Sequence, residues 1–379
     1  MLKIIGNNAS RQQRSLLILF LIWTALQLIL FFHYGVNTSV DSAMYQDNAA
    51  ALLRGVFPQG RDIGYISYSI FLAAASLLGD DDVAVLFQVL FSGVALYFLY
   101  RAAYKITANE ITSLLTCTFY LGWIKIHQWN FFIYTESLFT SMAIISFAAL
   151  VLSRTKKHYA LTLIIFLFTV LIRPTGIALL TGFLVYGLAH VYHQVSRTVW
   201  LVIVFTMIAS GLLILNVVMK DYGFIDSYRN AELIYPNISL GLQPPIDLII
   251  SSDEHAPLIR LIMFIYSNPI YFLKIALLKL LLFIGNVKPY FSVAHNAGIV
   301  AFLFPLYFFA VKGFQYFPLN RKEHYFITGF MIMQCAIVSL TSENWDGRFL
   351  IPVLPFVFML SAVGINAWLR RQSQYKLFQ

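Results

Sequence analysis

Residues 161–191 read LTLIIFLFTVLIRPTGIALLTGFLVYGLAHV, two apolar runs on either side of the short polar turn Arg173-Pro174-Thr175-Gly176. An α-helix needs about 20 mostly apolar residues to cross a bilayer. The two runs belong to apolar stretches near 158–172 and 175–193, and two apolar stretches joined by a turn that contains proline are typical of consecutive membrane-spanning helices. This stretch therefore predicts a polytopic membrane protein, and comparable apolar runs recur along most of the chain.

The composition of the 379-residue chain supports that prediction. Apolar residues make up 59% of it and charged residues only 11%, whereas soluble domains contain about 25% charged residues. The net charge of +9 could suggest nucleic acid, but the chain has too few polar residues to cover a water-facing surface or to remain disordered. Both cysteines, Cys117 and Cys335, lie in apolar runs, so neither a disulfide framework nor a thiolate metal site is expected.

Ten apolar runs are predicted to span the membrane, near 16–32, 83–100, 112–131, 136–152, 158–172, 175–193, 198–218, 297–316, 324–342 and 350–369. The first is expected to be an uncleaved span, since it is long and no small-residue cleavage site follows it. Two interrupted stretches, 63–79 and 258–285, are interpreted as interfacial or re-entrant helices in outer loops over 33–82 and 219–296. We thus predict an all-α, single integral membrane domain over 1–379.

Loop charge orients these spans, because Lys and Arg concentrate in short cytoplasmic loops. With the N-terminus inside, Arg154, Lys156 and Lys157 fall in one inner loop. Treating 63–79 as an additional span would move this basic loop outside.

The orientation is testable with reporter fusions. A reporter fused after Lys157 is expected to lie inside, and one fused after Glu254 is expected to lie outside. The opposite pair of results would overturn the predicted sidedness.

Three charged residues at predicted outer span ends are candidates for a functional site: Asp41, Glu136 and Arg173. Ionisable side chains near membrane depth are costly unless they face a cavity or a partner, and so they often mark function. A guanidinium matches phosphate oxygens with two parallel hydrogen bonds. Each residue also has a structural alternative. Asp41 could N-cap the helix that follows, Glu136 could cap a helix in a tight turn, and Arg173 could snorkel to the interface.

Two polar-aromatic segments complete the candidates, KPYFSVAHN over 288–296 and ENWDGRFLIPVLP over 343–355. Their aromatic residues could instead belong to an interfacial belt, and Arg348 could pair with Asp346 or Glu343. His295 has no metal-ligand companions at usable spacing, so no metal is predicted. The acidic triplet 80–82 is expected to keep its loop in water and to cap the next helix.

Several segments together resemble the GT-C superfamily of membrane glycosyltransferases. The likeness is to the family 39-like group, which includes protein O-mannosyltransferases, lipid A aminoarabinose transferases and bacterial lipopolysaccharide sugar transferases. The segments that carry it, in chain order over almost the whole chain, are Asp41 with Tyr45 and Gly55, GYISYSIFLAAASLLG over 64–79, TESLF around Glu136, Arg173-Pro174-Thr175-Gly176, and RFLIPVLP from Arg348.

The resemblance implies a GT-C-like helix bundle that performs an inverting sugar transfer on the outer, periplasmic face of the bacterial inner membrane. The donor would be a polyprenyl-phosphate-linked monosaccharide, and the acceptor a hydroxyl of a glycan, glycolipid or protein. No cofactor and no nucleic-acid partner are expected. The resemblance also implies catalytic roles for Asp41 and Glu136 and a donor-phosphate contact for Arg173. It further implies substrate contacts for Tyr45, Lys288, Tyr290, His295 and Arg348. Many relatives have Asp-Glu where this chain has Asp41-Ser42, and the family usually has more than ten spans.

Other functions remain open from the sequence. A transporter or lipid flippase would place paired charges deep within spans and show repeat symmetry. A polysaccharide ligase or polymerase of another fold would also use lipid-linked sugars, with its chemistry in a large late loop. A structural membrane scaffold is a third alternative.

Overall fold

The computed structural model describes residues 2–192, 194–220, 224–250, 255–317 and 321–375. The parts of the predicted second outer loop at 221–223 and 251–254 lie outside the described residues. The fold is 77% helical, with 16 helices among these residues. They are α1 (Leu2–Tyr34), α2 (Val40–Leu53), α3 (Ile66–Ser76), α4 (Asp81–Thr107), α5 (Glu110–Gly122), α6 (Ile124–Gln128), α7 (Thr135–Leu152), α8 (Lys156–Val170), α9 (Gly176–Val191), α10 (Arg197–Val218), α11 (Phe224–Arg229), α12 (Pro257–Ser267), α13 (Pro269–Gly285), α14 (Val293–Tyr316), α15 (Lys322–Leu340) and α16 (Leu354–Tyr375).

Six of the described helices are long and apolar enough to cross a membrane: α1, α4, α7, α10, α14 and α15. The consecutive helices α12 and α13 meet at a bend of 106° and would add a seventh span if the pair crosses together. These helices confirm the predicted class, an all-α polytopic membrane protein. The count of ten spans remains a prediction.

The structure shows where the helices end within two of the predicted stretches, 112–131 and 63–79. The run over 112–131 is not one helix, because α5 ends at Gly122, Trp123 leaves helical geometry (φ −90°, ψ 84°), and α6 and a 3₁₀ turn over Trp129–Phe131 follow. Within 63–79, α3 has 11 residues and is about 17 Å long. It is therefore too short to cross a hydrocarbon core of about 30 Å.

One compact unit comprises Met1–Gly176, Pro305–Pro318 and Ile351–Gln379 and is called the first unit below. Helix α7 is its core: it packs against α4 and α8, and 89% of it is buried. Helix α5 packs against α4 and α16. Only 17% of the spanning part of α1 is buried, which suits a helix whose apolar side chains face lipid.

The second unit comprises Ile177–Phe304 and Leu319–Leu350. Its core cluster includes Tyr228, Phe264 and Ile275. Two short parallel strands, β1 (Ile234–Tyr235) and β2 (Glu343–Asn344), pair within this unit. At the break between α12 and α13 the next helix begins with proline, which supplies no backbone N–H, and the Asn268 side chain donates to the Ile249 carbonyl at 2.8 Å.

Candidate functional site

The start of α2 is fixed to the segment that leads into α7. The Asn37 N–H donates to the Phe131 carbonyl at 2.8 Å, and the Asn37 carbonyl accepts from the Ile133 N–H at 3.0 Å. The Ser42 hydroxyl donates to the Ile133 carbonyl at 3.1 Å. The first turns of α2 and α7, which carry the two predicted catalytic acids, are therefore held side by side in the first unit.

Asp41 lies in the first turn of α2 and is half-buried. The N-cap of this helix is Ser39, whose backbone is extended and whose N–H donates to the Ser42 hydroxyl at 3.0 Å. The alternative in which Asp41 caps the helix is therefore wrong. Asp47, on the same helix, is exposed.

Glu136 and Arg173 form a buried ion pair. The Arg173 Nη1 and Glu136 Oε1 atoms are 3.3 Å apart, and the two side chains are 7% and 2% exposed. The guanidinium also lies 5.6 Å from the Phe139 ring centre. A buried Arg173 does not snorkel to the interface, and the N-cap of α7 is Tyr134 rather than Glu136. Both structural alternatives are thus wrong, and the pair places one cation and one carboxylate beside the first turn of α7.

The turn that carries Arg173 is compact because its neighbours fit closely. The Gly176 N–H donates to the Arg173 carbonyl at 2.8 Å, and a Cβ on Gly176 would lie 2.1 Å from the Val170 carbonyl oxygen. The start of α3 docks on this turn, where the Ser67 N–H donates to the Leu171 carbonyl at 3.0 Å. All four motifs from the first half of the chain thus meet in the first unit.

Replacing Gly64 with alanine should test this docking. A Cβ at Gly64 would lie 2.9 Å from Pro174 Cγ, so α3 or the Arg173 turn must shift. We expect destabilisation of about 1–3 kcal/mol, typical of overpacking, measured as a lower thermal midpoint in detergent. Gly187→Ala is the control, because a Cβ there meets nothing within 4 Å and alanine favours the helix. An equal loss in both variants would contradict the close packing.

Tyr45 lies within a cluster of tyrosine rings. It is 4% exposed, and its ring centre is 5.3 Å from Tyr65, 5.1 Å from Tyr68 and 6.3 Å from Tyr134. The contacts with Tyr68 and Tyr134 are edge-to-face, a geometry that is favourable beyond simple burial. The four rings come from α2, α3 and the segments that precede α3 and α7, so they stabilise the meeting point of these elements.

The groups that shift the pKa of Tyr45 show which charged and polar side chains lie near it. Burial is the main cause that raises the pKa of its hydroxyl, and Tyr65, Glu136 and Asp41 raise it further while Arg173 lowers it. The Tyr45 hydroxyl therefore stays protonated near neutral pH and remains a hydrogen-bond donor. The same electrostatic neighbourhood contains every site residue predicted in the first half of the chain.

In the second unit, the buried side chain of Lys288 forms an ion pair. Its Nζ lies 3.6 Å from Glu343 Oε1, and both side chains are fully buried. The Asn296 amide accepts from the Lys288 N–H at 3.2 Å and donates to the Lys288 carbonyl at 2.8 Å. This geometry suits a lysine that ties two loop segments together, since its side chain has no exposed surface.

Tyr290 reaches the other polar-aromatic segment of the same unit. Its hydroxyl donates to the Trp345 carbonyl at 2.5 Å, while 46% of the residue is exposed. Burial, followed by the charges of Asp346 and Glu343, raises the pKa of the Tyr290 hydroxyl to about 12. The residue therefore joins segments 288–296 and 343–348 and still presents surface for contacts.

The last two predicted site residues also lie in the second unit. His295 is exposed and its ring centre is 4.6 Å from that of Phe291. The Arg348 Nε donates to Asn344 Oδ1 at 3.2 Å. Their substrate contacts remain predictions.

The acidic triplet 80–82 begins α4, as expected for a helix start. Asp80 occupies the N-cap position, and both carboxylate oxygens of Asp81 accept from Gln46 Nε2 at 3.0 and 2.8 Å. This contact ties α2 to the start of α4 within the first unit.

Sequence reasoning missed several residues at the site. Tyr65, Tyr68 and Tyr134 stand in apolar stretches where tyrosine is common, and their clustering depends on tertiary contacts. Gln88 could have been found, because an amide within a predicted span needs buried partners.

Comparison with known proteins gives no family assignment. A scan against protein-family models finds none that matches, and a search of curated proteins finds no significant match.

Proposed function

We propose that the protein is an inverting glycosyltransferase that moves a monosaccharide from a polyprenyl-phosphate donor to an acceptor hydroxyl. One observation carries the proposal: a half-buried carboxylate, Asp41, lies in the same electrostatic neighbourhood as the buried Arg173–Glu136 pair and the protonated Tyr45. A base, a cation and a hydrogen-bond donor are the groups that this reaction needs.

Asp41 is proposed as the general base. An acceptor hydroxyl is a weak nucleophile, and a carboxylate within hydrogen-bond reach takes its proton as attack proceeds. The acceptor oxygen forms a bond to the anomeric carbon while the bond from that carbon to the phosphate oxygen breaks. The electron pair leaves with the polyprenyl phosphate, and a single displacement inverts the anomeric configuration.

Arg173 is proposed to stabilise the departing phosphate. A lipid phosphate is a weak base, so it needs charge stabilisation more than a general acid. The guanidinium has five N–H donors and can keep its contact with Glu136 while it donates to phosphate oxygens. Tyr45 is proposed to add a hydrogen bond to the substrate from its protonated hydroxyl.

Glu136 is proposed to act in catalysis through Arg173. It is 2% exposed and paired, whereas Asp41 is half-buried, so Asp41 is the better placed to meet an acceptor. Because Glu136 already holds the guanidinium in place, less side-chain entropy is lost when the donor binds than if a free arginine had to be ordered. The wider proposal includes a GT-C-like bundle of about ten spans in the bacterial inner membrane, with chemistry on the outer face.

Purified protein incubated with radiolabelled polyprenyl-phosphate sugars and candidate acceptors tests the proposal. We expect labelled product of inverted configuration and release of polyprenyl phosphate. A transporter or flippase would instead move the intact lipid-linked sugar across proteoliposomes without cleaving it. Translocation without cleavage across a panel of sugars and acceptors would overturn the proposal.

A further inference from the structure

Gln88 on α4 is fully buried and uses its whole amide. Its Oε1 accepts from the Tyr68 hydroxyl at 3.0 Å, and its Nε2 donates to the carbonyls of Asn130 at 3.0 Å and Phe132 at 2.9 Å. A carboxamide offers acceptor oxygen and two N–H donors on one group, which neither a carboxylate nor an aliphatic side chain can do. The residue thus matches three partners at once.

These three bonds connect two sides of the proposed site. On one side, the Tyr68 ring packs at 5.1 Å against Tyr45. On the other, the Asn130 side chain accepts from the hydroxyl of Ser137, in the first turns of α7, at 2.6 Å. Gln88 therefore joins α3 to the segment that leads into α7, and both carry residues of the site.

We propose that Gln88 is a positioning residue for the transfer reaction. It holds the start of α7, with Glu136, in register with the Tyr68 ring and hence with α2, which carries Asp41. The inference rests on the proposed function. Gln88 touches neither substrate nor reacting atoms, and it acts through the placement of groups that do. Catalysis is sensitive to such placement, since a shift of about 1 Å can lower a rate about 100-fold.

Gln88→Met removes all three bonds and keeps an unbranched side chain of similar length. We expect kcat to fall about 10- to 100-fold, with the KM for donor within about threefold of wild type and the pH profile unchanged. The matched control is Ser92→Ala, one turn further along α4, which removes a part-buried hydrogen bond donated by the Trp23 indole at 3.2 Å. An unchanged kcat in Gln88→Met, or an equal fall in the control, would overturn the inference.

A double variant separates positioning from general loss of stability. Tyr68→Phe removes one of the three bonds and should lower kcat less than Gln88→Met does. If Tyr68 acts through Gln88, adding Tyr68→Phe to Gln88→Met should change kcat little further. Fully additive losses would show that the two residues act independently and would contradict the proposed connection.

Hydrogen exchange distinguishes failure of this inference from failure of the proposed function. In purified, folded protein we expect faster amide exchange over residues 130–136 in Gln88→Met and wild-type exchange there in Ser92→Ala. Unchanged exchange in Gln88→Met would overturn the positioning role even if transfer is observed. Absence of transfer in wild type, with the expected exchange pattern, would overturn the glycosyltransferase proposal and leave the structural connection intact.

Discussion

Asp41→Asn is expected to lower the transfer rate by about 10²- to 10⁴-fold, the contribution usual for a positioned general base. Asparagine has nearly the same shape, so the fold should persist while the side chain can no longer accept a proton. The effect should appear in kcat rather than in the KM for donor, because the carboxylate acts on the acceptor proton. Initial rates with a labelled polyprenyl-phosphate sugar measure it.

Asp47→Asn is the matched control for this variant. Asp47 lies on the same helix but is exposed, so its replacement should leave the rate within about twofold of wild type. Asp41→Glu keeps a carboxylate at a different reach and should retain part of the activity. Wild-type rates in Asp41→Asn would remove the assignment of the base.

Much of the helical class could be predicted from the sequence, because the apolar runs are long and the bilayer sets their length. The interrupted stretch over 63–79 is predicted not to span the membrane, and its helix, α3, is too short to cross. The break at Trp123 was not predicted, because the run over 112–131 is apolar overall even though Lys125, His127 and Gln128 lie in it. The backbone angles at Trp123 show that the helix ends there. Hydropathy records which residues avoid water, and it does not record where a helix stops.

The single residues of the candidate site could be predicted from the sequence, but the contacts between them could not. Asp41, Glu136 and Arg173 could be found individually, since a charged residue at a span end is conspicuous. The ion pair between Glu136 and Arg173 could not, because the two residues are far apart in the chain and their distance depends on packing. The resemblance implies a substrate contact for Lys288, which stays a prediction; its burial against Glu343 could not be predicted, because the two residues are far apart in the chain.

Arg173→Ala should be the most damaging change to stability at the site. Removing one partner of a buried pair leaves the other charge uncompensated, which costs about 3–5 kcal/mol. Glu136 is 2% exposed and would be that charge. We expect a much lower thermal midpoint. If Arg173 holds the phosphate, the substitution should also weaken donor binding more than it weakens acceptor binding.

The neutral double variant Arg173→Met with Glu136→Gln separates the two roles. It leaves no uncompensated buried charge, so much of the stability lost in Arg173→Ala should return. Donor binding should stay weak, because no guanidinium faces the phosphate. The donor affinity of Arg173→Lys should lie between those of wild type and the double variant, because an ammonium keeps the charge but cannot form the bidentate contact. Donor affinity that recovers with stability in the double variant would reduce Arg173 to a structural partner of Glu136.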